Sequence, residues 1–365
     1  MEIGITGLPS AGKTVVFNAL SRAKVPIATF SAPSSEPNRA VVKVPDVRLT
    51  ALAELFQPEK VTPAEVRYVD AAGLTQGASA EGQATQLLAQ LRNADALLVV
   101  VRAFSNDSVA HPLVSIDPER DLELISTELL LADLAVAERR IDRLEKEVRL
   151  GKGAESERQA REREFHALRA IQSALASGKP ARVVELDAND EKLLRGYGFL
   201  TRKPWLVLLN TDDEGTDPAL LERMAAHWSS PSTRVAAIAG RLEMDLAELS
   251  PEEAAEFLSA WSVAEPALDR VIQLSYALLD LISFFTVGED EVRAWTLTRG
   301  SSAVDGASAV HTSIGKAFIR AEVVRHDDLL ACGSLVEARR RGLLRTEGRT
   351  YVIQDGDVSH FLHGA

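Results

Sequence analysis

Gly7-Leu8-Pro9-Ser10-Ala11-Gly12-Lys13-Thr14 constrains this chain more than any other segment. The octapeptide has the spacing G-x-x-x-x-G-K-[ST]; it follows a short apolar run, Glu2–Thr6, and opens a second one at Val15–Leu20. Strand, loop and helix in that order let successive backbone N–H groups curl toward one point and add the partial positive charge of a helix start. The segment therefore predicts an anion cradle made by Leu8, Pro9, Ser10, Ala11, Gly12, Lys13, Thr14 and Val15. Lys13 would lie across the β and γ phosphates of a nucleotide. Thr14, the first hydroxyl on the helix, offers a hard oxygen to Mg²⁺.

Further short apolar runs recur at Val66–Asp70, Leu97–Val101, Trp205–Leu209 and Arg234–Ala239, with helix-like or loop material between them. Fully apolar strands separated by helices imply a parallel sheet covered on both faces, so the fold class is α/β and doubly wound. In such sheets ligands sit at the carboxyl ends of the strands. Asp70-Ala71-Ala72-Gly73 ends one strand there, where Asp70 can hold a water of Mg²⁺ and the Gly73 N–H can meet a γ-phosphate. Asn210-Thr211-Asp212-Asp213 ends another, placing an amide and a carboxylate within reach of a purine. A bare Asn-x-x-Asp is also a common turn; its position after the other two motifs favours base reading. A phosphate loop, then Asp-x-x-Gly, then a base-reading loop is the order of the G-protein branch of P-loop NTPases and not of P-loop kinases.

The alternation breaks between the third and fourth of these strands. From about Asp121 to about Ala176 the chain is charged and helix-forming. Leu134, Ala137, Ile141, Leu144 and Val148 step by three and four residues, the apolar seam of a coiled coil. Gly151-Lys152-Gly153 interrupts the seam, and Phe165, Leu168, Ile171 and Leu175 resume it, which predicts a helical hairpin. Residues 138–170 hold ten basic and eight acidic side chains, a local net charge of 10 − 8 = +2. A solvated hairpin laced with ion pairs and a docking arm for an anionic partner both fit that pattern. Beyond Ile282 the texture turns to β-rich segments at Val292–Thr298, Ala317–Val324 and Thr350–Ile353, which predicts a small separate domain. The expected organisation is a nucleotide domain at 1–120 and 198–280, an inserted hairpin at 121–197 and a terminal domain at 281–365.

Gly7–Thr14, Glu36-Pro37-Asn38, Asp70-Ala71-Ala72-Gly73-Leu74 with Gly77-Ala78-Ser79, Glu291-Val292-Arg293-Ala294-Trp295-Thr296, Lys316-Ala317-Phe318-Ile319-Arg320-Ala321 and Asp355-Gly356-Asp357-Val358 together resemble the YchF/Obg-like ATPase family. The resemblance runs almost end to end. It implies a P-loop NTPase G domain, an inserted coiled-coil hairpin, a terminal TGS domain of β-grasp type, and association with the ribosome. It also implies that Leu74 stands where related GTPases carry a water-orienting glutamine, so intrinsic turnover should be slow. Ser34 takes the place of the family's switch threonine as a Mg²⁺ ligand, beside Thr14 and Asp70. Lys13, Gly73 and Leu74 form the expected catalytic set. Asn210, Asp213, Ala239, Gly240 and Arg241 are expected at the base.

Two departures matter. The family usually has Asn-Val where this chain has Ser10-Ala11, and the asparagine goes with potassium use, so a potassium requirement does not carry over. The family's Asn-x-x-Glu goes with ATP. Here Asp213 supplies the shorter carboxylate of ordinary GTPases, while Thr211 replaces the lysine whose stem packs on guanine. These oppose each other, and ATP is expected to be slightly favoured over GTP.

With 53 acidic against 41 basic residues, the net charge of −12 has the wrong sign for a protein that coats nucleic acid, so rRNA contacts should be local. The large subunit is the expected ribosomal partner, and the chain is expected to be a monomer. The single cysteine, Cys332, excludes a disulfide framework or a cysteine zinc site and is expected to be a small core group. No apolar run nears the ~20 residues of a membrane span, and the chain enters a strand-like segment at once, so a cytoplasmic location is expected. His111 reads as structural. Arg339-Arg340-Arg341 fits a solvated helix end and an RNA contact equally. The expected function is a slow Mg²⁺-dependent NTPase acting as a ribosome-associated switch. An alternative is a nucleotide-sensing adaptor whose hydrolysis is incidental. A metabolite kinase would need an acceptor site and a lid that the sequence does not show.

Overall fold

A computed structural model describes residues 1–22, 38–70, 82–150, 154–213, 215, 217–250, 253–254, 256–257 and 266–364. In chain order the first elements are β1 (Glu2–Thr6), α1 (Lys13–Ser21), β2 (Asn38–Lys43), α2 (Val47–Phe56), β3 (Lys60–Thr62), β4 (Glu65–Asp70), α3 (Gly82–Asn93) and β5 (Ala96–Ala103). Then come α4 (Pro118–Leu150), α5 (Glu155–Ala176), α6 (Ala188–Leu194), β6 (Trp205–Thr211), α7 (Pro218–Trp228), β7 (Thr233–Ile238), α8 (Gly240–Leu246) and α9 (Ala267–Leu278). The chain folds as two compact units, Met1–Ala40 with Arg67–Leu268, and Val41–Val66 with Asp269–Ala365.

The first unit is built on a six-stranded sheet ordered β2-β4-β1-β5-β6-β7. From β4 to β7 every pairing is parallel. Leu97 to Val101 and Trp205 to Leu209 are fully buried, as strands covered on both faces must be. They pack with Leu91, Leu122, Ile125, Leu129 and Met224. β2 has no apolar run because it is an edge strand with alternating exposure, and the apolar pattern therefore does not announce it. The neighbours of β1 lie on opposite sides of it in chain sense, β4 on one and β5 on the other. That switch opens a crevice at the carboxyl ends of β1 and β5.

α4 and α5 form the helical pair expected from the apolar seam. Ala137, Ile141 and Leu144 are buried against Ala167, Leu168, Ile171 and Leu175, with Leu134 and Phe165 packed at the margin. The Gly151–Gly153 break lies outside the described residues. Arg140 bridges to Glu147 at 3.3 Å and to Glu164 at 2.9 Å, and Arg163 pairs with Asp187 and Asp190 across to α6. At the base of the pair, buried Asp133 accepts from Arg92 Nη1 (2.9 Å), Leu200 N (3.0 Å), Thr201 N (2.8 Å) and Thr201 Oγ1 (2.9 Å).

The second unit adds β8 (Leu281–Thr286), β9 (Glu291–Thr298), α10 (Ala303–Val310), α11 (Thr312–Lys316), β10 (Phe318–Arg325), α12 (His326–Cys332), α13 (Leu335–Arg340), β11 (Arg345–Glu347) and β12 (Asp357–His363). Its sheet runs β11-β10-β12-β8-β9-β3 over a core of Phe284, Ala303, Ala307, Phe318, Val323 and Ile353. Residues Val41–Val66 belong here because β3 pairs in parallel with β9, Lys60 opposite Glu291. Thr350–Ile353 is not a strand: only Val352 makes a bridge, to Ser302, and the final strand is β12 instead. Cys332 closes α12 half-buried rather than in the core. No helix among the described residues is long and apolar enough to cross a membrane.

Candidate functional site

The loop between β1 and α1 is shaped by two glycines. Gly7 has φ 150° and Gly12 φ 86°, and a Cβ on either would lie 2.2 Å from Val100 O or 2.1 Å from Asn210 Nδ2. No other residue fits at either place. Between them Leu8 O accepts from Ala11 N at 3.4 Å and from Lys13 Nζ at 2.9 Å, so the ammonium folds over the loop's own backbone. α1 begins at Lys13 without a side-chain cap, which leaves its first N–H groups directed at the loop.

Thr14 Oγ1 donates to Asp70 Oδ2 at 3.1 Å, joining the start of α1 to the end of β4. Burial lowers the Lys13 ammonium to about 8, and the charge of Asp70 works against that fall. Burial pushes the Asp70 carboxyl up, while Lys13 and hydrogen bonds from Thr14 and Asn38 hold it down. A cation and an anion sharing one desolvated site are each poorly stabilised by water and depend on each other. Two oxygens of the kind Mg²⁺ prefers meet at that point, so the donors present fit the ion. Among the described residues there is no separate cluster of His, Cys, Asp or Glu that could hold a metal.

Asn210 reaches the same place from β6. Its Nδ2 donates to Ala11 O at 3.0 Å and its Oδ1 accepts from Gly240 N at 3.1 Å, clamping the phosphate loop to the start of α8. Thr211 turns its hydroxyl to Ile238 O (3.3 Å) and Asp212 O (3.0 Å), whereas Asp213 is exposed. Ala239 precedes α8, and exposed Arg241 pairs with Asp245 at 3.2 Å. Ser34, Gly73 and Leu74 lie outside the described residues. The structure thus brings Leu8, Ala11, Gly12, Lys13, Thr14, Asp70, Asn210 and Gly240 together, with Pro9, Ser10 and Val15 in the same loop and helix turn.

Sequence reading missed three contributors. Asn38 bonds to Asp70. Arg102, at the carboxyl end of β5, is nearly fully buried; it donates to Phe104 O (3.2 Å) and Asn106 O (3.3 Å) and stacks 4.5 Å from the Phe104 ring. Phe104 Cε1 would be 3.6 Å from a Cβ on Gly12, so its ring lies against the loop. The rule that ligands gather at strand carboxyl ends points to residues 102–104 as much as to Asn210.

Two other candidates have partners within the fold. His111 Nε2 lies 2.8 Å from Asp121 Oδ2, and its Nδ1 accepts from Leu113 N at 3.1 Å, which puts the ring proton on Nε2 toward the carboxylate. In the terminal unit Arg339 pairs with Glu322 at 2.9 Å, and Arg340 and Arg341 share Glu337 at 2.6 Å, so two carboxylates offset two of the three charges of this exposed helix end.

Comparison with known proteins agrees with this geometry. Residues 2–140 match the family model MMR_HSR1, described as a 50S ribosome-binding GTPase, and residues 281–363 match YchF-GTPase_C, described as a protein of unknown function. The chain is 40% identical over 362 residues to the Ribosome-binding ATPase YchF of Haemophilus influenzae, covering 99% of this chain and 98% of that one. It is 40% identical over 366 residues to the Bacillus subtilis protein of the same name, with the same coverage. The Schizosaccharomyces pombe YchF GTPase structure superposes with a TM-score of 0.83 at 30% identity, over 99% of this chain and 97% of that one. With identity of this order over the whole length and the phosphate loop in place, the chain belongs to the YchF family of P-loop NTP hydrolases.

Proposed function

We propose that this YchF-family hydrolase is a slow, Mg²⁺-dependent purine nucleoside triphosphatase, with ATP slightly favoured over GTP, that works as a ribosome-associated switch. The observation that carries the reading is the convergence of Lys13, Thr14 and Asp70 on the glycine-bounded loop. Lys13 exchanges the Leu8 carbonyl for the β and γ phosphates. The loop amides and the start of α1 hold the same oxygens, and their fixed dipoles need no reorganisation as charge shifts toward the β–γ bridge. Mg²⁺, held by Thr14 and Asp70 with Ser34, would neutralise phosphate charge. Leu74 has no hydrogen-bonding group to orient the attacking water, so chemistry is slow and suits a timer. The N–H of Gly73 senses the γ-phosphate.

Asn210 has one amide proton beyond the bond to Ala11, and it supplies this to the base. Thr211 turns its hydroxyl into the sheet, so it does not replace the lysine stem that steadies guanine in ordinary GTPases. That balance and the names of the relatives support ATP. Competition of ATP against GTP for the purified protein tests it, and Asp213→Glu should move preference further toward ATP. The hairpin at 121–197 and the terminal domain at 281–365 are the proposed ribosome-facing parts, in a cytoplasmic protein. Lys13→Ala is expected to lose hydrolysis; turnover equal to that of the unaltered protein would refute the assignment.

The adaptor reading has one observation of its own. Arg143, Lys146 and Arg149 are exposed on α4 and make no ion pair among the described residues. Single-turnover hydrolysis with and without ribosomes separates the two: strong stimulation marks the timer, and an unchanged rate with nucleotide-dependent binding marks the adaptor.

A further inference from the structure

The edge of the nucleotide-domain sheet opposite the phosphate loop carries its own cleft. Asp95, Pro204 and Ser232 immediately precede β5, β6 and β7, and all three line a cavity of about 440 Å³. Because these strands run parallel, their amino ends are one rim of the sheet and the phosphate loop is on the other. Arg182, Arg195, Arg202 and Lys203 also line the cleft, against two carboxylates among the described residues, Asp95 and Glu191. A local excess of 4 − 2 = 2 positive charges stands out in a chain of net charge −12.

What these cations are bonded to decides the matter. Arg202 is neutralised by Glu191. Arg182 is held rigidly: its guanidinium stacks 4.5 Å from the Trp205 ring, Nε donates to Thr201 O at 2.7 Å and Nη1 to Thr233 Oγ1 at 2.7 Å. None of these partners carries charge, and Arg182 makes no ion pair among the described residues. Lys203 spends its ammonium on the carbonyls of Arg92 (3.0 Å) and Ala94. Arg195 is exposed at the mouth and has no carboxylate partner among the described residues. Burial depresses Arg182 to about 10 and lowers Lys203 as well; the more distant charges of Asp133 and, for Lys203, Asp95 offset this only in part. A fixed, half-desolvated cation without a bonded anion is costly in a folded protein unless something supplies the anion. A planar guanidinium, already stacked and oriented, is suited to a phosphate oxygen pair.

We infer that the cleft at the amino rim of the sheet, between Arg182, Arg195 and Lys203, is a phosphodiester-binding site through which this chain grips RNA backbone. The inference rests on the proposed ribosome association and gives it a specific place on the molecule. It also explains how an acidic chain can hold RNA: the grip is local and lies on the rim away from the nucleotide.

The test is sedimentation with purified ribosomes, together with anisotropy of a fluorescent single-stranded RNA oligonucleotide, each over a salt series. Arg195→Ala and Arg182→Lys are expected to weaken both interactions about tenfold, by loss of a charge-assisted hydrogen bond. For Arg195→Ala the slope of log affinity against log salt should fall by about 0.7, one phosphate no longer being neutralised, whereas Arg182→Lys keeps its charge and hence its slope. Nucleotide hydrolysis and melting temperature of Arg195→Ala should stay unchanged. If the unaltered protein binds ribosomes and both variants bind with equal affinity and slope, the cleft is not the RNA site while the ribosome reading survives. If the unaltered protein binds RNA through this cleft but not ribosomes, the ribosome reading falls and the cleft stands. Binding of neither overturns both.

Discussion

The Thr14 hydroxyl donates to Asp70 Oδ2 across 3.1 Å, and this single bond ties the first turn of the phosphate-loop helix to the end of the neighbouring strand. On the proposed reading both oxygens would hold the metal of the nucleotide, so Thr14→Val would remove a ligand; it also leaves Asp70 without its hydroxyl donor. Steady-state hydrolysis with Mg²⁺ should fall by about 10²–10³, the usual cost of removing one preorganised charge-stabilising group. Nucleotide affinity measured without Mg²⁺ should change little. Equal hydrolysis in the variant would show that Thr14 is not a ligand.

Lys13 gives the site a pH signature. Burial sets its ammonium to about 8 in the free protein, and a triphosphate beside it must raise that value. The complex thus keeps a proton that the free protein gives up, and affinity should weaken as pH rises through about 8. Titration calorimetry in buffers of different ionisation heat should show proton uptake on binding at a pH about half a unit above that value and almost none well below it. Stability of the free protein runs the other way. Between about 8 and the ordinary lysine value the unfolded chain binds more protons than the folded one, so Lys13 contributes rising stability with pH across that window.

Asn210 is a two-sided clamp, and its two ends are chemically distinct. Asn210→Asp keeps the acceptor for Gly240 N but turns a carboxylate oxygen toward Ala11 O, where a donor is required. Two acceptors then face each other at about 3.0 Å in a buried place. Nucleotide affinity should drop at least tenfold for ATP and GTP alike, read by fluorescent-nucleotide displacement. A selective loss of one base would instead assign Asn210 to base recognition alone.

The phosphate site could be read from the sequence because its chemistry forces residue types at fixed spacing. Gly7 and Gly12 leave no room for a Cβ, and a phosphate cradle calls for an ammonium and a hydroxyl beside them, as Lys13 and Thr14 supply. The central strands were equally legible, since burial on both faces leaves a continuous apolar run such as Leu97–Val101. β2 and β3 were not: both are half-exposed edge strands, and β3, three residues long, owes its existence to a neighbour distant in sequence, Lys60 lying opposite Glu291. The bond from Asn38 to Asp70 depends on which loops meet at the crevice, information that no local pattern carries.

Asp133 gives the last prediction and the largest expected loss of stability. It is fully buried within α4 and accepts four hydrogen bonds from Arg92, Leu200 and Thr201, thereby fixing the end of α3, the root of the long helix and the segment entering β6. Asp133→Ala takes the carboxylate from the part-buried Arg92 guanidinium and leaves two buried backbone N–H groups, of Leu200 and Thr201, without their acceptor. The cost should be about 3–5 kcal/mol, in the range for breaking one side of a buried charged network. Exposed Asp142, further along the same helix, should cost less than about 0.5 kcal/mol on the same change. Urea denaturation of both variants measures the contrast. Because Asp133 grips α4 where the helix leaves the sheet, its loss should also loosen hydrogen-exchange protection at Leu200 and Thr201 first. Protection there equal to that of the unaltered chain would mean that apolar packing around Ala137 and Ile141, not this carboxylate, anchors the hairpin.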